Sequence, residues 1–220
     1  MKEFKIRCSA IGQVMTNPRA KKDVEAGLLS ATSKTYCREW VKEQIYKRRK
    51  NFTNKYTEKG LVVEDNSLDF IAEQLGYGLL VKNEDYFEDD FLTGTPDVIL
   101  NDHLIDVKNS WDCFTFPLFM DNIPSKDYYW QAQGYMALTG LSSYKLIYTL
   151  MDTPEYLIEK EFKYNNFYDK DFEDFVKDYL YSDIDPKQRI KVFEIQRNDE
   201  DINAIKERVK QCRNYIKTLV

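Results

Sequence analysis

The sequence has no long apolar run and no paired cysteines. No stretch of about 18 apolar residues occurs in the 220 residues, so no membrane-spanning helix is expected. The segment Met1 to Cys8 lacks the apolar stretch of a secretory signal peptide. The four cysteines form no Cys-x-x-Cys pair, which argues against a clustered iron–sulfur site and favours free thiols in a reducing cytoplasm; they are Cys8, Cys37, Cys113 and Cys212.

Charge and histidine content narrow the choice of chemistry further. The net charge of -5 gives no support to a protein that coats DNA, because such proteins are usually basic. Lys42 to Lys59 is a local exception that either contacts phosphates or forms a solvated helix face; its cations include Lys47, Arg48, Arg49, Lys50 and Lys55. The only histidine is His103, beside a predicted turn, so histidine acid–base catalysis is not expected. A nucleophile elbow and a phosphate-binding P-loop motif are both missing.

The residue pattern predicts a single α/β domain. Apolar spacing and capping residues predict helices at Ser9–Thr16 (with Ser9 as a possible cap), Lys34–Asn51, Thr57–Leu75, Ser125–Thr139, Lys170–Tyr181 and Asp199–Leu219. Strands are predicted at Leu79–Val81, Tyr86–Leu92, Pro96–Leu100, Leu104–Val107, Tyr144–Met151 and Tyr156–Phe162. Helices followed by a run of strands, a helix and further strands indicate a mixed α/β sandwich.

One predicted hairpin carries the most specific information. If Asn101 and Asp102 form its two-residue turn, Asp97 lies directly opposite Asp106 on one face of the ribbon. Lys108 is two residues beyond Asp106 and shares that face. The apolar residues at alternate positions then face the core; they are Val98, Leu100, Ile105 and Val107.

Two opposed carboxylates repel each other unless one takes up a proton or a cation binds both. Hard oxygen ligands favour Mg²⁺ or Mn²⁺. The ammonium of Lys108 would order a water molecule or balance charge on a phosphate. The hairpin therefore predicts metal-assisted hydrolysis of a phosphodiester. The alternative is a surface hairpin whose Asp and Lys side chains only pair with each other.

With these residues the sequence resembles the PD-(D/E)XK nucleases. Pro96-Asp97 matches the PD and Asp106-Val107-Lys108 matches the (D/E)XK, with Asp in place of Glu. The resemblance implies a restriction-endonuclease-like core, a central mixed β-sheet flanked by helices. We expect one domain over residues 1–220, with the core at about 55–165 and helical additions at 9–51 and 165–219.

Two further segments resemble the branch that includes phage lambda exonuclease and RecB-type nuclease domains. Lys59-Gly60-Leu-Val-Val-Glu64 implies that Glu64 helps to hold metal; otherwise it is a solvated helix carboxylate. Tyr128 to Met136 resembles the glutamine motif of that branch, which implies that Gln131 contacts the scissile phosphate and Tyr128 lines the site. The alternative is that the tyrosines pack in the core and Gln131 lies on the helix surface.

The N-terminal segment Cys8 to Met15 resembles the 5′-phosphate site of lambda-type exonucleases. The resemblance implies phosphate contacts from Ser9 and Thr95, with Arg7 as a stand-in for an arginine that lies further upstream in the family. It also implies one or two ions of Mg²⁺ or Mn²⁺, held by Asp97, Asp106, the Val107 carbonyl and Glu64, with Lys108 orienting the attacking water.

The function predicted from the resemblance is a DNA exonuclease of the phage recombination type, acting at duplex ends in the cytoplasm of a bacterial host. It implies DNA as partner, a single-strand annealing recombinase as a further partner, and a ring-shaped homo-oligomer. An endonuclease on the same core and a non-catalytic DNA-binding subunit are the alternatives.

Overall fold

The structure, a computed structural model, describes residues 2–50, 53–165 and 171–220. These residues form the helices α1 (Ile11–Val14), α2 (Lys21–Glu25), α3 (Ala31–Tyr46), α4 (Lys55–Val62), α5 (Glu64–Leu75), α6 (Lys126–Thr139), α7 (Glu155–Tyr164), α8 (Phe172–Lys177) and α9 (Asp199–Ile216). They also form the strands β1 (Ile6–Arg7), β2 (Phe87–Glu88), β3 (Leu92–Gly94), β4 (Val98–Ile99), β5 (Leu104–Asn109), β6 (Ser143–Thr149) and β7 (Ile190–Gln196).

Two small sheets position the site. The larger sheet has the order β4-β5-β6-β7 and is mixed, because β5 pairs parallel with β6 while the outer pairings are antiparallel. The smaller has the order β1-β3-β2, with β1 parallel to β3. Helices cover the sheets, so the predicted α/β fold with a mixed sheet flanked by helices is confirmed. The division into a core at 55–165 and helical additions stays a prediction.

The larger sheet separates two apolar cores. Residues of β5 alternate between them, since Leu104 belongs to the larger core and Ile105 to the smaller one. The parallel connection from β5 to β6 passes through α6, as parallel strands require a crossover. Ser125 caps α6 by accepting from the Asp127 amide, and Gly140 ends it with a φ of 77°. The sequence therefore predicts α6 almost to the residue.

Helix α6 packs unusually close to the N-terminal turn at Gly134. A Cβ atom at this position would lie 2.4 Å from Ile11 Cδ1 and 2.9 Å from Cys8 Sγ. Both neighbours are buried, so they have little space into which to move. The absence of a side chain at Gly134 thus fixes the distance between the N-terminal turn and α6.

We expect Gly134→Ala to destabilise the fold by about 1–3 kcal/mol, because the added methyl group overpacks this contact. Gly60→Ala is the matched control, since a Cβ at Gly60 in α4 meets nothing within 4 Å. Alanine in an open helical position stabilises by up to about 1 kcal/mol. Urea unfolding of both variants checks the pair, and equal stability of the two would contradict the packing argument.

Several predicted elements are wrong. Tyr156–Phe162, predicted as a strand, lies within helix α7, where Leu157 and Ile158 are buried. The segment is rich in aromatic and apolar residues, as strands are. However, Pro154 lies at the N-cap of the helix, and Leu157 and Ile158 are buried on one side of it. Leu79–Val81 is not a strand, and the real strand β7 was not predicted.

The helix predicted at Thr57–Leu75 is two helices, because Val63 leaves the helical conformation between α4 and α5. The apolar spacing that predicts this helix includes Leu61, Leu68 and Ile71, but Leu61 is 69% exposed and only the other two are buried. Ser9 caps no helix: it lies within a 3-10 turn, and α1 begins after Ala10 without a side-chain cap. The helix predicted at Lys34–Asn51 ends at Tyr46, and the predicted limits at Asn51 and Lys170 themselves lie outside the described residues.

No helix in the described parts of the chain has the length and apolar character that crossing a bilayer requires. All four cysteines carry free thiols, and all but Cys113 are buried.

Candidate active site

The hairpin of β4 and β5 has the predicted register. Val98 pairs with Ile105 and Ile99 with Leu104, which places Asp97, the residue just before β4, opposite Asp106. The backbone N–H of Val107 donates to Asp97 Oδ2 over 3.1 Å and extends the pairing by one contact. The turn closes through the Leu100 amide and the His103 carbonyl, at 2.9 Å. Lys47 is the one non-glycine residue with positive φ in the described chain, so the turn is not of the primed type.

Asp106 is the most deeply buried acidic group of the site, with 1% of the residue exposed. It lies on β5, the inner strand between β4 and β6. Its Oδ1 accepts a hydrogen bond of 2.8 Å from Gln131 Nε2 on α6. Its Oδ2 is in ion contact with the Lys108 ammonium and, among the described residues, has no partner with regular hydrogen-bond geometry. A metal cation bound at Oδ2 would therefore have to share this buried oxygen with the Lys108 ammonium or displace it.

The pKa of Asp97 reflects the repulsion between the two aspartates. Burial and the neighbouring charge of Asp106 raise the pKa of Asp97 to about 7, although Lys108 and the Val107 N–H act in the opposite direction. Glu64 adds to the rise. The carboxylates of Asp97, Asp106 and Glu64 therefore lie close together in poorly solvated surroundings. Ionising all three at once costs free energy. Such an arrangement is typical of a cation site or of catalysis.

Lys108 is the cation on the same face as both aspartates. Burial alone would lower the pKa of Lys108, but the charges of Asp106 and Asp97 raise it above its ordinary value. The ammonium therefore remains protonated at neutral pH. It lies 5.3 Å from the centre of the Tyr128 ring, which packs against Tyr148 at 6.3 Å between ring centres. Tyr128 thus forms one wall around the lysine.

Glu64 is the first residue of α5 and reaches toward the hairpin. Its carboxylate contacts the ammonium of Lys82, which also feels the charge of Asp97. Lys82 was missed in the sequence because it lies in an irregular segment with no motif. The contact with Glu64 raises the pKa of Lys82. A cation that binds Glu64 would have to displace or share this lysine.

A cavity of about 480 Å³ brings part of the predicted set together. Glu64, Val107, Lys108 and Tyr128 line it, and Tyr56, Leu61 and Trp111 are among the residues of its walls. Within the described residues, no group of three or more His, Cys, Asp or Glu side chains is already arranged to hold a metal ion. The carboxylates instead contact lysines, Asp106 with Lys108 and Glu64 with Lys82. The donor set of hard carboxylate oxygens nonetheless fits Mg²⁺ or Mn²⁺.

The residues predicted to contact a phosphate do not all lie in one place. Cys8 packs beside Gly94, where a Cβ would lie 3.3 Å from the Cys8 sulfur, so the adjoining Ser9 and Thr95 lie in one region. Both are exposed. Arg7 lines a different cavity and faces Glu43 at 3.9 Å. The structure therefore does not bring Arg7 into the cavity that holds Lys108.

A buried lysine secures α4 beside the site. Lys59 is fully buried and its Nζ donates to the Trp111 carbonyl over 3.0 Å, a carbonyl that also accepts from the Thr153 hydroxyl at 3.1 Å. Burial lowers the pKa of Lys59 to about 7, although the charges of Asp112 and Asp152 oppose the shift. The folded protein thus holds a neutral amine above pH 7 while the unfolded chain still binds the proton.

From this pKa we expect Lys59 to make stability rise with pH between about 7 and 10, by up to about 1.4 kcal/mol per unit. Below pH 7 both states bind the proton and the slope disappears. Lys59→Met removes the titrating group and leaves the Trp111 carbonyl its bond from Thr153. Chemical unfolding of both proteins at pH 7, 8 and 9 measures the difference. A variant with the slope of the wild type would contradict this account.

Comparison with known proteins agrees with the geometry. A phage-related exonuclease from Haemophilus somnus 129PT is 32% identical, with a TM-score of 0.84 over 99% of this chain and 96% of that chain. An alkaline exonuclease from Laribacter hongkongensis, also solved in complex with dAMP, is 16% identical, with TM-scores of 0.65 and 0.66 over 97% of this chain and 88% of that chain. The Laribacter structures show the same fold. No protein-family model and no curated protein sequence matches the chain.

The Haemophilus protein matches nearly the whole chain in both sequence and structure, and the Pro96-Asp97 and Asp106-Val107-Lys108 residues lie on one hairpin as the nuclease motif requires. The chain therefore belongs to the phage-related exonuclease family, within the lambda-exonuclease-like branch of the PD-(D/E)XK nucleases.

Proposed function

We propose that this protein is a divalent-metal-dependent exodeoxyribonuclease of the phage recombination type. The observation that carries the proposal is the shared face of Asp97, Asp106 and Lys108 on the β4–β5 hairpin, beside a cavity that also holds Glu64. The name of the Haemophilus relative supports an exonuclease over an endonuclease. The dAMP complex of the Laribacter enzyme supports a deoxynucleotide as the unit that the fold binds.

The metal would be Mg²⁺ or Mn²⁺, as one or two ions. Asp97, Asp106 and the Val107 carbonyl would hold it, with Glu64 completing the set once its contact with Lys82 is given up. When bound, such ions activate water and stabilise the charge of the leaving oxygen. The buried carboxylate of Asp106 and the raised pKa of Asp97 are the features of this chain that fit a cation.

The remaining steps belong to the side chains of the chain itself. Lys108 stays protonated, so it orients the attacking water through hydrogen bonds and offsets negative charge on the phosphate in the transition state. Gln131 holds Asp106 in one orientation through its hydrogen bond to Oδ1. Because the Gln131 amide is already engaged, we propose that it acts on the phosphate only together with Asp106. Tyr128 limits the space around Lys108.

Ser9 and Thr95 remain the proposed contacts of a terminal phosphate, since both are exposed and their neighbours Cys8 and Gly94 touch. A single-strand annealing recombinase, a ring-shaped assembly and a cytoplasmic location stay predictions.

A digest of three DNA substrates tests the function. We expect 5′-phosphorylated linear duplex to be degraded to nucleotides in Mg²⁺ and to survive in EDTA, while closed circular DNA stays intact. A 5′-hydroxyl duplex should be degraded more slowly if Ser9 and Thr95 bind the phosphate. Cleavage of the closed circle at the rate of the linear substrate would identify an endonuclease instead, and no cleavage of either would contradict the proposal.

A further inference from the structure

A second cavity, of about 680 Å³, lies against β1, β3, β2 and the C-terminal end of α3. Six cationic side chains line it, together with three carboxylates and two aromatic rings; the cations are Lys2, Lys5, Arg7, Lys47, Arg48 and Arg49. We call this cavity the basic cleft. It stands out in a chain whose net charge is -5.

The carboxylates of the basic cleft are already engaged. Glu43 faces Arg7 at 3.9 Å and Glu88 faces Lys5 at 3.5 Å, while Glu3 pairs with Arg213 at 2.9 Å. The other four cations have no carboxylate partner within the described residues; they are Lys2, Lys47, Arg48 and Arg49. Concentrated positive charge of this kind attracts a polyanion with several regularly spaced charges.

Two aromatic rings stand among these cations. Trp40 is half-buried and packs edge-on against Phe4 at 5.2 Å between ring centres, which fixes its orientation. Tyr86, just before β2, is 63% exposed. A positively charged groove with aromatic rings is the common way of binding single-stranded nucleic acid, because the rings stack on bases that a duplex keeps hidden.

The backbone connects the basic cleft to the candidate active site. Arg7, Thr93 and Glu88 form one cross-strand row of the smaller sheet, and Thr93 is part of the cleft's lining. Asp97 follows Thr93 by four residues, so their Cα atoms are at most about 14 Å apart. A few nucleotides of a single strand cover that distance. A strand in the cleft can thus be continuous with DNA at the hairpin.

The backbone at the edge of the cleft adds a second observation. Helix α3 ends on Lys47 in the left-handed conformation, with a φ of 50°, whereas α5 and α6 end on Gly76 and Gly140 in that conformation. A side chain is strained at this position, and glycine is the usual solution. The lysine nevertheless stands there, next to Arg48 and Arg49.

We propose that the basic cleft binds the backbone of single-stranded DNA next to the active site. The inference rests on the proposed function in taking DNA as the substrate, and it adds the form of the DNA and the residues that hold it.

The test uses the full chain in EDTA, so that no cleavage occurs. Anisotropy of a fluorescein-labelled 20-mer of thymidylate reports binding, at several salt concentrations. The variant is Lys47→Gly, Arg48→Ser, Arg49→Ser, in which glycine relieves the left-handed strain and so protects the fold. The matched control removes three exposed lysines elsewhere, Lys21→Ser, Lys163→Ser and Lys177→Ser, for an equal change in charge.

We expect the cleft variant to lose more than tenfold in affinity and to lower the slope of log K against log salt by about 2, at about 0.7 per lost phosphate contact. The control should stay within twofold of the wild type. The inference would be overturned if the cleft variant bound the 20-mer as tightly as the wild type, or if the control variant lost as much affinity as the cleft variant. An equal or greater loss with a 20-base-pair duplex would overturn the single-strand assignment. If the wild type binds the 20-mer in EDTA more tightly than the cleft variant but cleaves no DNA in Mg²⁺, the proposed function is refuted and the cleft is still supported.

Discussion

Lys108→Ala is expected to slow DNA cleavage by about 10²–10³-fold while DNA binding survives. Lys108 lies on the face of the β4–β5 hairpin that carries both aspartates, and it remains a cation because Asp106 and Asp97 raise its pKa. A fixed charge in a poorly solvated site stabilises a transition state by about 2.7–4 kcal/mol, which is the size of the expected loss. Binding survives because contacts to the rest of the DNA do not depend on this ammonium.

The measurement is single-turnover cleavage of a labelled 5′-phosphorylated duplex in Mg²⁺, together with the affinity for the same duplex in EDTA. Lys145→Ala is the matched control, because Lys145 pairs with Ile105 in the sheet and so lies on the opposite face, where its ammonium donates to the Tyr77 hydroxyl. We expect wild-type rates from the control. Wild-type rates from Lys108→Ala would remove this lysine from the mechanism.

Asp106→Asn should abolish the stabilisation that a divalent cation gives the protein. At a Mn²⁺ concentration of 100 times its Kd, binding stabilises the wild type by about 2.7 kcal/mol. That corresponds to a rise of about 5–10 °C in Tm for a chain of this size. The asparagine keeps an oxygen for the Gln131 amide but loses the charge, so its Tm should rise by less than about 1 °C.

Thermal unfolding with and without Mn²⁺ measures the effect. Asp69→Asn, an exposed carboxylate of α5, serves as control and should retain the full rise. The same shift in wild type and Asp106→Asn would show that the cation binds elsewhere. Asp106→Asn should lower the nuclease rate as well as the Mn²⁺-dependent rise in Tm, since both depend on the same carboxylate.

The hairpin was predictable because its register depends on few variables. A two-residue turn at Asn101-Asp102 fixes every partner along the ribbon, and the apolar residues at alternate positions fix which face is buried. The structure gives Val98 opposite Ile105, as predicted. The turn type was not predictable, since asparagine and aspartate occur in several turns.

The helical regions were harder to predict because apolar residues there line a cavity as well as the buried core. Leu61 fits an apolar helical stripe, yet it lies on the wall of the candidate active-site cavity. Tyr156–Phe162 has the composition of a strand but buries Leu157 and Ile158 on one side of a helix. Tertiary packing decided both cases.

The lysines around the carboxylates show what sequence patterns miss. Lys108 was predicted to share a face with Asp106 because both lie on one strand. Lys82 was not, because its contact with Glu64 joins an irregular segment to the start of α5. Likewise, Arg7 and the cations at 47–49 are far apart in sequence and meet in the basic cleft only through the fold.

The proposed chemistry depends most on a divalent cation held by both Asp97 and Asp106, with Lys108 alongside. Anomalous diffraction at the manganese edge, from crystals grown with Mn²⁺, tests it directly. We predict a peak within coordination distance of carboxylate oxygens from both aspartates. A peak that contacts only one of them, or lies outside the cavity lined by Glu64 and Lys108, would contradict the account.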